Sequence, residues 1–200
     1  MGGKAMEQAA RMNERITEAQ IIEACQAGDR DAFRWLFERY KDRVYSIAYH
    51  FSNNEAMARD VTQQVFLKLF TVIAQFRRDA EFATWLYRIV ANACTDEQRK
   101  RRRFVPFDPK MEASHVTTRS APEDAIHRRQ VAASVREAIA ALSPKLRLPI
   151  LLKYVEGLSY EEIAAALNCS IGTVSSRLNR GHKQLAARLE HLRGDLFGSE

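Results

Sequence analysis

The chain has 200 residues, a formal net charge of +6, and 46% hydrophobic against 28% charged residues. That length suits one large or two small domains, and the balance is that of a soluble globular protein whose basic surface favours a polyanionic partner, nucleic acid or an anionic membrane surface. No apolar run reaches the ~18 residues of a membrane span. The segment Met1–Gln20 lacks the apolar core of a secretory signal. Cys25, Cys94 and Cys169 are scattered, which excludes a disulfide framework and a paired-cysteine zinc site. Three small buried hydrophobes in a reducing cytoplasm are expected instead.

Glycine and proline are scarce, at 8 and 5 residues, and no strand-like alternation stands out. The chain is therefore read as all-α: two small helical domains joined by a flexible linker, the C-terminal one a helix-turn-helix. Residues 1–16 form a tail. The first domain, 17–103, opens with "TEAQIIEACQAG", capped by Thr17 and ended by Gly28. Asp29 caps a second helix, on which Phe33, Leu36, Phe37, Tyr40, Val44, Ile47 and Ala48 recur at helical spacing. Asn53 or Asn54 opens a third helix that reaches about Ala74. After the loop "QFRRDAEFA", a fourth helix runs from about Thr84 to Arg102.

From Phe104 to Asp124 the apolar periodicity stops, and three of the five prolines fall here. The linker is set at 104–121. Asp108, Glu112, Glu123 and Asp124 outnumber Lys110 and Arg119 in this stretch, an acidic bias that solubility alone would explain. The second domain, 122–193, begins with "PEDAIHRRQVAASVREAIAAL". Ser143-Pro144 opens the next helix, Pro149 is expected to kink it, and Gly157 stops it. Residues 194–200 form a second tail.

The stretch "SYEEIAAALNCSIGTVSSRLNRGHKQL" carries the most specific pattern. Ser159 and Glu162 have capping-box spacing, and Ile163, Ala164 and Leu167 form one side of a short helix. "NCS" is a three-residue turn, and Ser170 caps the following helix. There Ile171, Val174, Leu178, Leu185 and Leu189 share an apolar face. Thr173, Ser176, Arg180 and Lys183 oppose it, with Arg177 and Asn179 on the flanks. A recognition helix needs this division: one face packs on its scaffold, and the other offers phosphate-neutralising and base-reading groups to the major groove.

Two features of the first domain suggest further surfaces. The third helix has too many apolar positions for one stripe: Met57, Val61, Val65, Phe66, Leu69 and Ile73 suffice for a core. Leu67 and Phe70 are left over, bordered by Asp60, Gln63, Gln64 and Lys68. They suit either a protein partner or a neighbouring helix of the same domain. The fourth helix turns Leu86, Ile89, Val90 and Ala93 inward and sets Arg88, Asn92, Arg99 and Arg103 along an outer stripe that ends in the run Arg99-Lys100-Arg101-Arg102-Arg103. Phe76, Phe82, Trp85 and Tyr87 lie near Arg77 and Arg78. Cations interleaved with aromatic rings suit nucleic acid with exposed bases, although the rings taken alone favour a core.

"ARDVTQQVFLKLF", then "QFRRDAEFATWLYRIVANACTDEQRKRRR", then "LSYEEIAAALNCSIGTVSSRLNRGHKQL" resemble, in that order and spacing, bacterial sigma factors of the extracytoplasmic-function type, over roughly residues 17–191. The resemblance implies a promoter-specificity subunit of RNA polymerase. Asp60, Gln63, Gln64, Phe66, Leu67 and Phe70 would then meet the clamp helices of core polymerase, whose flap is a further expected contact. Phe76, Arg77, Phe82, Trp85, Arg88, Asn92, Arg99, Lys100 and Arg101 would read and open the minus-ten element, with Asn92 at the motif position for base contact. Thr173, Ser175, Ser176, Arg177, Asn179, Arg180 and Lys183 would read the minus-thirty-five element. The family pattern has a basic residue directly after Gly-Thr-Val, and this chain has Ser175. The resemblance also implies that the acidic linker lies in the RNA exit path, that an anti-sigma factor competes for the apolar surfaces, and that the protein works in the cytoplasm without direct membrane contact.

Geometry agrees with that implication: the stretch Phe104–Asp124, about 21 residues, spans up to ~70 Å when extended, about two turns of DNA. An autonomous helix-turn-helix regulator is the rival reading, but it leaves the first domain without a task. An enzyme is not expected. The chain has no Gly-rich phosphate loop, metal-ligand spacing or nucleophile–base set, so catalytic residues, metals and cofactors are all read as none.

Overall fold

The structure is a computed structural model that describes residues 17–104 and 123–192. The expected tails, and the linker beyond Phe104, lie outside the described residues. Among the described residues all regular structure is helical: α1 (Glu18–Gln26), α2 (Arg30–Ser52), α3 (Glu55–Val72), α4 (Phe82–Phe104), α5 (Glu123–Ala140), α6 (Pro144–Tyr154), α7 (Tyr160–Leu167) and α8 (Ile171–Leu189), with 3-10 turns at Ile73–Gln75 and Glu190–Leu192.

Local chemistry sets most of these boundaries. The Thr17 hydroxyl accepts from the Gln20 amide while the Gln20 side chain accepts from the Thr17 amide, a reciprocal cap for α1. Gly28, at φ +90°, supplies the left-handed turn after it. Asp29 Oδ1 accepts from the amides of Asp31 and Ala32 at 2.8 and 3.1 Å and so starts α2. Asn53 ends α2 in the left-handed region, and Asn54 caps α3 through the Met57 amide at 2.8 Å. Helix α4 begins before its expected start at Thr84, because the Glu81 carbonyl already accepts from the Trp85 amide. Pro144 sits at the first position of α6, where its missing N–H costs nothing; Pro149 lies inside a helix that runs unbroken to Tyr154.

Leu36, Val44, Ile47, Phe51, Leu69 and Leu86 fill the centre of the first unit, and Leu142, Leu151, Leu152, Ile163 and Leu178 that of the second. These two centres belong to one continuous apolar cluster. Helix α4 packs along α7, and α2 packs against α5 and α6. The two units are thus closed on each other, which merges two small cores into one larger one.

One expected core position is corrected. Ile171 is 47% exposed at the first position of α8. Gly181, in contrast, is buried where α8 crosses α6. A methyl group there would lie 3.1 Å from Ile150 Cγ1, so the bare backbone is what allows the helices to approach.

Candidate functional site

Three surfaces stand apart from the core. The first is an apolar groove of about 500 Å³ between α2 and α3. Gln63, Phe66, Leu67 and Phe70 line it from α3, since steps of three and four bring them to one face. Leu67 and Phe70 are 63% and 58% exposed. Phe66 is only 5% exposed; it forms the floor, held edge-on against Phe37 at 4.7 Å, and offers little area to a partner. Phe70 meets Phe33 edge-on at 5.1 Å. Asp60 and Gln64 share the adjacent stripe and face α4: Asp60 lies 3.8 Å from Arg101, and Gln64 donates to Glu97 at 3.3 Å. The α2 side of the groove, Phe33, Phe37 and Tyr45, was not foreseen as part of this surface. Tyr45, an aromatic residue off the stripe of Phe33, Leu36, Phe37, Tyr40 and Val44, was the available signal.

The second surface runs from the loop at 76–81 along α4. Its ring system lies in the core, as the rings taken alone favoured, and this sets Phe76 and Phe82 apart from the other expected minus-ten residues. Phe76 and Phe82 are 7% and 2% exposed, packed 5.4 Å apart with Trp85 tilted against both at 5.1 and 5.9 Å. Phe76 and Phe82 are buried in this arrangement and leave little ring face for a base; half-buried Trp85 retains part of its own. Arg77, Arg88, Asn92, Arg99 and Lys100 are exposed, and Arg101 is half-buried. The basic run is locally tethered: Arg99 to Asp96 at 3.3 Å, Lys100 and Arg101 to Glu97 at 3.5 Å. Burial works against ionisation of Glu97, but the Gln64 amide and both cations outweigh it and hold its carboxyl below the ordinary value. The exposed Arg99–Asp96 pair stabilises by about 0–1 kcal/mol, so a phosphate can replace it easily.

The third surface is the α7–α8 pair. Ser159 Oγ accepts from the Glu162 amide at 3.1 Å, and Glu162 accepts from the Ser159 amide at 2.7 Å. Asn168 ends α7 in the left-handed region, and Ser170 Oγ caps α8 through the Thr173 amide at 3.2 Å. This is the expected helix-turn-helix. Ser159→Ala is expected to lower unfolding free energy by about 1 kcal/mol, checked by urea denaturation; an unchanged midpoint would count against the cap's contribution. Val174, Leu178 and Gly181 face inward. Ser175, Ser176, Asn179, Arg180 and Lys183 are exposed, while Thr173 is half-buried. Arg177 is turned aside: it reaches Cys169 Sγ at 3.7 Å and joins Asn92 and Thr95 around a crevice of about 140 Å³ between the two units.

That crevice is part of the closure. Arg88 donates to the Ala165 carbonyl at 2.6 Å, and the Tyr87 hydroxyl donates to the Glu156 carboxylate. Burial, then the neighbouring Glu156 carboxylate, hold the Tyr87 phenol protonated well above its usual range, so it remains a donor. In the closed chain, Arg88 and Asn92 therefore face the α7–α8 unit. Burial also pushes the Cys25 and Cys94 thiols up, to about 11 and about 12, which leaves them unreactive. Among the described residues no group of His, Cys, Asp or Glu could hold a metal ion, and no helix is long and apolar enough to cross a membrane.

A helix-turn-helix, a basic helix and an apolar groove on one all-helical chain are the parts of a multi-contact transcription factor. The sigma-70 region 2 family matches residues 36–104, and the sigma-70 region 4 family matches residues 132–185. The extracytoplasmic-function (ECF) RNA polymerase sigma factor SigW of Bacillus subtilis is 32% identical over 179 residues, covering 86% of this chain and 96% of SigW. The sigma-H factor of Pseudomonas aeruginosa is 33% identical over 183 residues, covering 88% and 95%. The solved structure of CnrH in complex with the cytosolic domain of CnrY superposes with a TM-score of 0.65 at 26% identity, covering 86% of this chain and 96% of CnrH. The chain belongs to the sigma-70 family, in its extracytoplasmic-function group, and it is a sigma factor that directs transcription initiation.

Proposed function

We propose that the open groove between α2 and α3 binds the clamp helices of core polymerase, that the loop at 76–81 and α4 act on the minus-ten element, and that the outer face of α8 reads the minus-thirty-five element. The unit at 17–103 then opens strands, the unit at 122–193 positions, and residues 104–121 tether them. One observation carries the reading: each surface has the chemistry of its partner. The groove is apolar with Leu67 and Phe70 exposed, and the free face of α8 holds hydroxyl, amide and cationic groups. Asp60 and Gln64 border the groove, Arg77, Arg99, Lys100 and Arg101 supply cations for DNA phosphates, and Trp85 keeps the available ring face.

Work on polymerase requires the chain to open, because Arg88 and Asn92 face α7 and α8 in the closed form. Each domain alone makes a modest DNA contact. Docking both on polymerase makes the second contact effectively intramolecular. An anti-sigma factor that covers the groove would hold the chain inactive in the cytoplasm, as a non-enzymatic regulator. CnrH is itself solved with the cytosolic domain of CnrY, which supports that reading.

The test is run-off transcription with core polymerase over a randomised promoter library. Selection of two elements about two DNA turns apart is the expected result, and absence of start-site selection would sink the proposal. On the selected promoter, Arg180→Ala is expected to lower initiation by about tenfold, the loss of one good base or phosphate contact at ~1–3 kcal/mol. It should also relax the base preference at one position of the upstream element only.

A further inference from the structure

The loop at 76–81 has a brace outside the matched region 2 segment. We infer that Glu23 and Gln26 of α1, together with Arg78, are positioning residues that hold this loop in shape for strand opening. The inference rests on the proposed assignment of the loop to the minus-ten element.

The brace has two parts. Gln26 Nε2 donates to the carbonyls of Ile73 and Phe76, at 3.1 and 2.9 Å, and so uses both its hydrogens to close the entry of the loop. Arg78 sits near the loop's apex at φ +61°, a left-handed conformation that a non-glycine side chain rarely adopts. Its guanidinium donates to Glu23 Oε1 at 2.6 Å and to the Ala19 carbonyl at 3.3 Å. Helix α1 thus grips the loop at two points, more than 45 residues away in sequence.

Core packing does not need this arrangement. Glu23, Arg77 and Arg78 are exposed, and the apolar anchors of the region, Phe76 and Phe82, are buried without them. What the brace does control is direction. With Arg78 tied back onto α1, its neighbour Arg77 is left free and exposed. A backbone held in a sparsely populated conformation by a surrounding constraint is a recurring device for preorganising a binding loop. Preorganisation matters most when the loop must capture a base that has left the stack, because loop ordering then adds no further cost.

The experiment uses the full chain assembled with core polymerase on two templates. One is duplex promoter, and the other is the same promoter pre-opened around the minus-ten element. Arg78→Asn removes the ion pair but keeps a residue that tolerates the left-handed conformation. Gln26→Glu is isosteric and replaces both donors with acceptors. Glu23→Gln keeps shape and removes charge at an exposed site. Initiation on duplex template is expected to fall about tenfold in Arg78→Asn and Gln26→Glu, less in Glu23→Gln, with polymerase assembly and pre-opened-template activity retained and partial recovery in Arg78→Lys. Equal losses on both templates, or no loss on duplex, overturn the inference. Asn92→Ala separates the two levels. If it lowers duplex initiation while the brace variants do not, the brace alone is wrong. If no variant, Asn92→Ala included, alters dependence on the minus-ten sequence, the assignment of the loop fails and the inference with it.

Discussion

Arg147→Met is expected to lower the unfolding free energy by about 3 kcal/mol and to loosen the closed chain in the same step. Arg147 is 4% exposed, and its guanidinium lies 4.7 Å over the Phe51 ring. It donates to the Phe51 carbonyl at the end of α2, to the Ala140 carbonyl at the end of α5, and to the Leu142 carbonyl at 2.5 Å. All three acceptors sit at or just beyond helix C-termini, where carbonyls lack intrahelical partners and the dipole favours a cation. Met fills similar volume but donates nothing, so these carbonyls lose an internal donor at ~1–3 kcal/mol each if they stay buried. The full sum is not expected. Removing a buried charge also removes its desolvation cost, and the loosened carbonyls gain access to water.

The bonds to Ala140 and Leu142 lie within the C-terminal unit, whereas the bond to Phe51 joins the two units. Arg147→Met should therefore show both a lower urea midpoint and a larger radius of gyration by small-angle scattering. Tyr87→Phe, which removes the bond to Glu156 across the closure together with the hydroxyl's contact to Arg43 inside the first unit, supplies the comparison. Unchanged stability in Arg147→Met would show that the guanidinium's desolvation cancels its bonds.

These long-range contacts mark the limit of what the amino-acid sequence discloses. Caps at Thr17, Asp29, Asn54, Ser159 and Ser170 are legible because each acts within three residues of itself. The helix-turn-helix is legible for the same reason. The closure is not, since Phe51 and Arg147 are 96 residues apart, and nothing local requires them to meet. Burial shows the same division. Periodicity separates the faces of α8 but misplaces Ile171, which has the right phase yet is 47% exposed at the start of the helix. Phe76 and Phe82 were ambiguous as rings beside arginines; only their mutual packing with Trp85 places them in the core. The groove was half legible. The surplus of Leu67 and Phe70 marked one wall, while Phe33 and Phe37 passed as core residues because they share a stripe with Leu36 and Tyr40.

The surplus residues of α3 lead to the other large effect. Leu67→Glu is expected to weaken assembly with core polymerase by ~100-fold while leaving the fold intact. Leu67 is 63% exposed, so the free protein already tolerates water around it, and substitutions at such sites usually change stability within about 0.5 kcal/mol. In an assembled complex the same position would be desolvated, and a carboxylate there would lose its hydration without a dedicated partner. Arg59 also lines the groove, paired with Glu55 at 2.9 Å, and could offset part of that cost by turning towards the new carboxylate. Phe70→Glu should match the loss in assembly but lower stability more, because Phe70 also meets Phe33 edge-on at 5.1 Å. Val65→Glu on the buried face of α3 should instead unfold the first unit, since Val65 is fully enclosed. Thermal melting and fluorescence anisotropy of labelled protein with core polymerase separate the three variants. Tight assembly by Leu67→Glu would remove the groove from the polymerase interface. A parallel loss of polymerase and anti-sigma binding would mean that one surface serves both, so that neither partner can be lost by mutation here without the other.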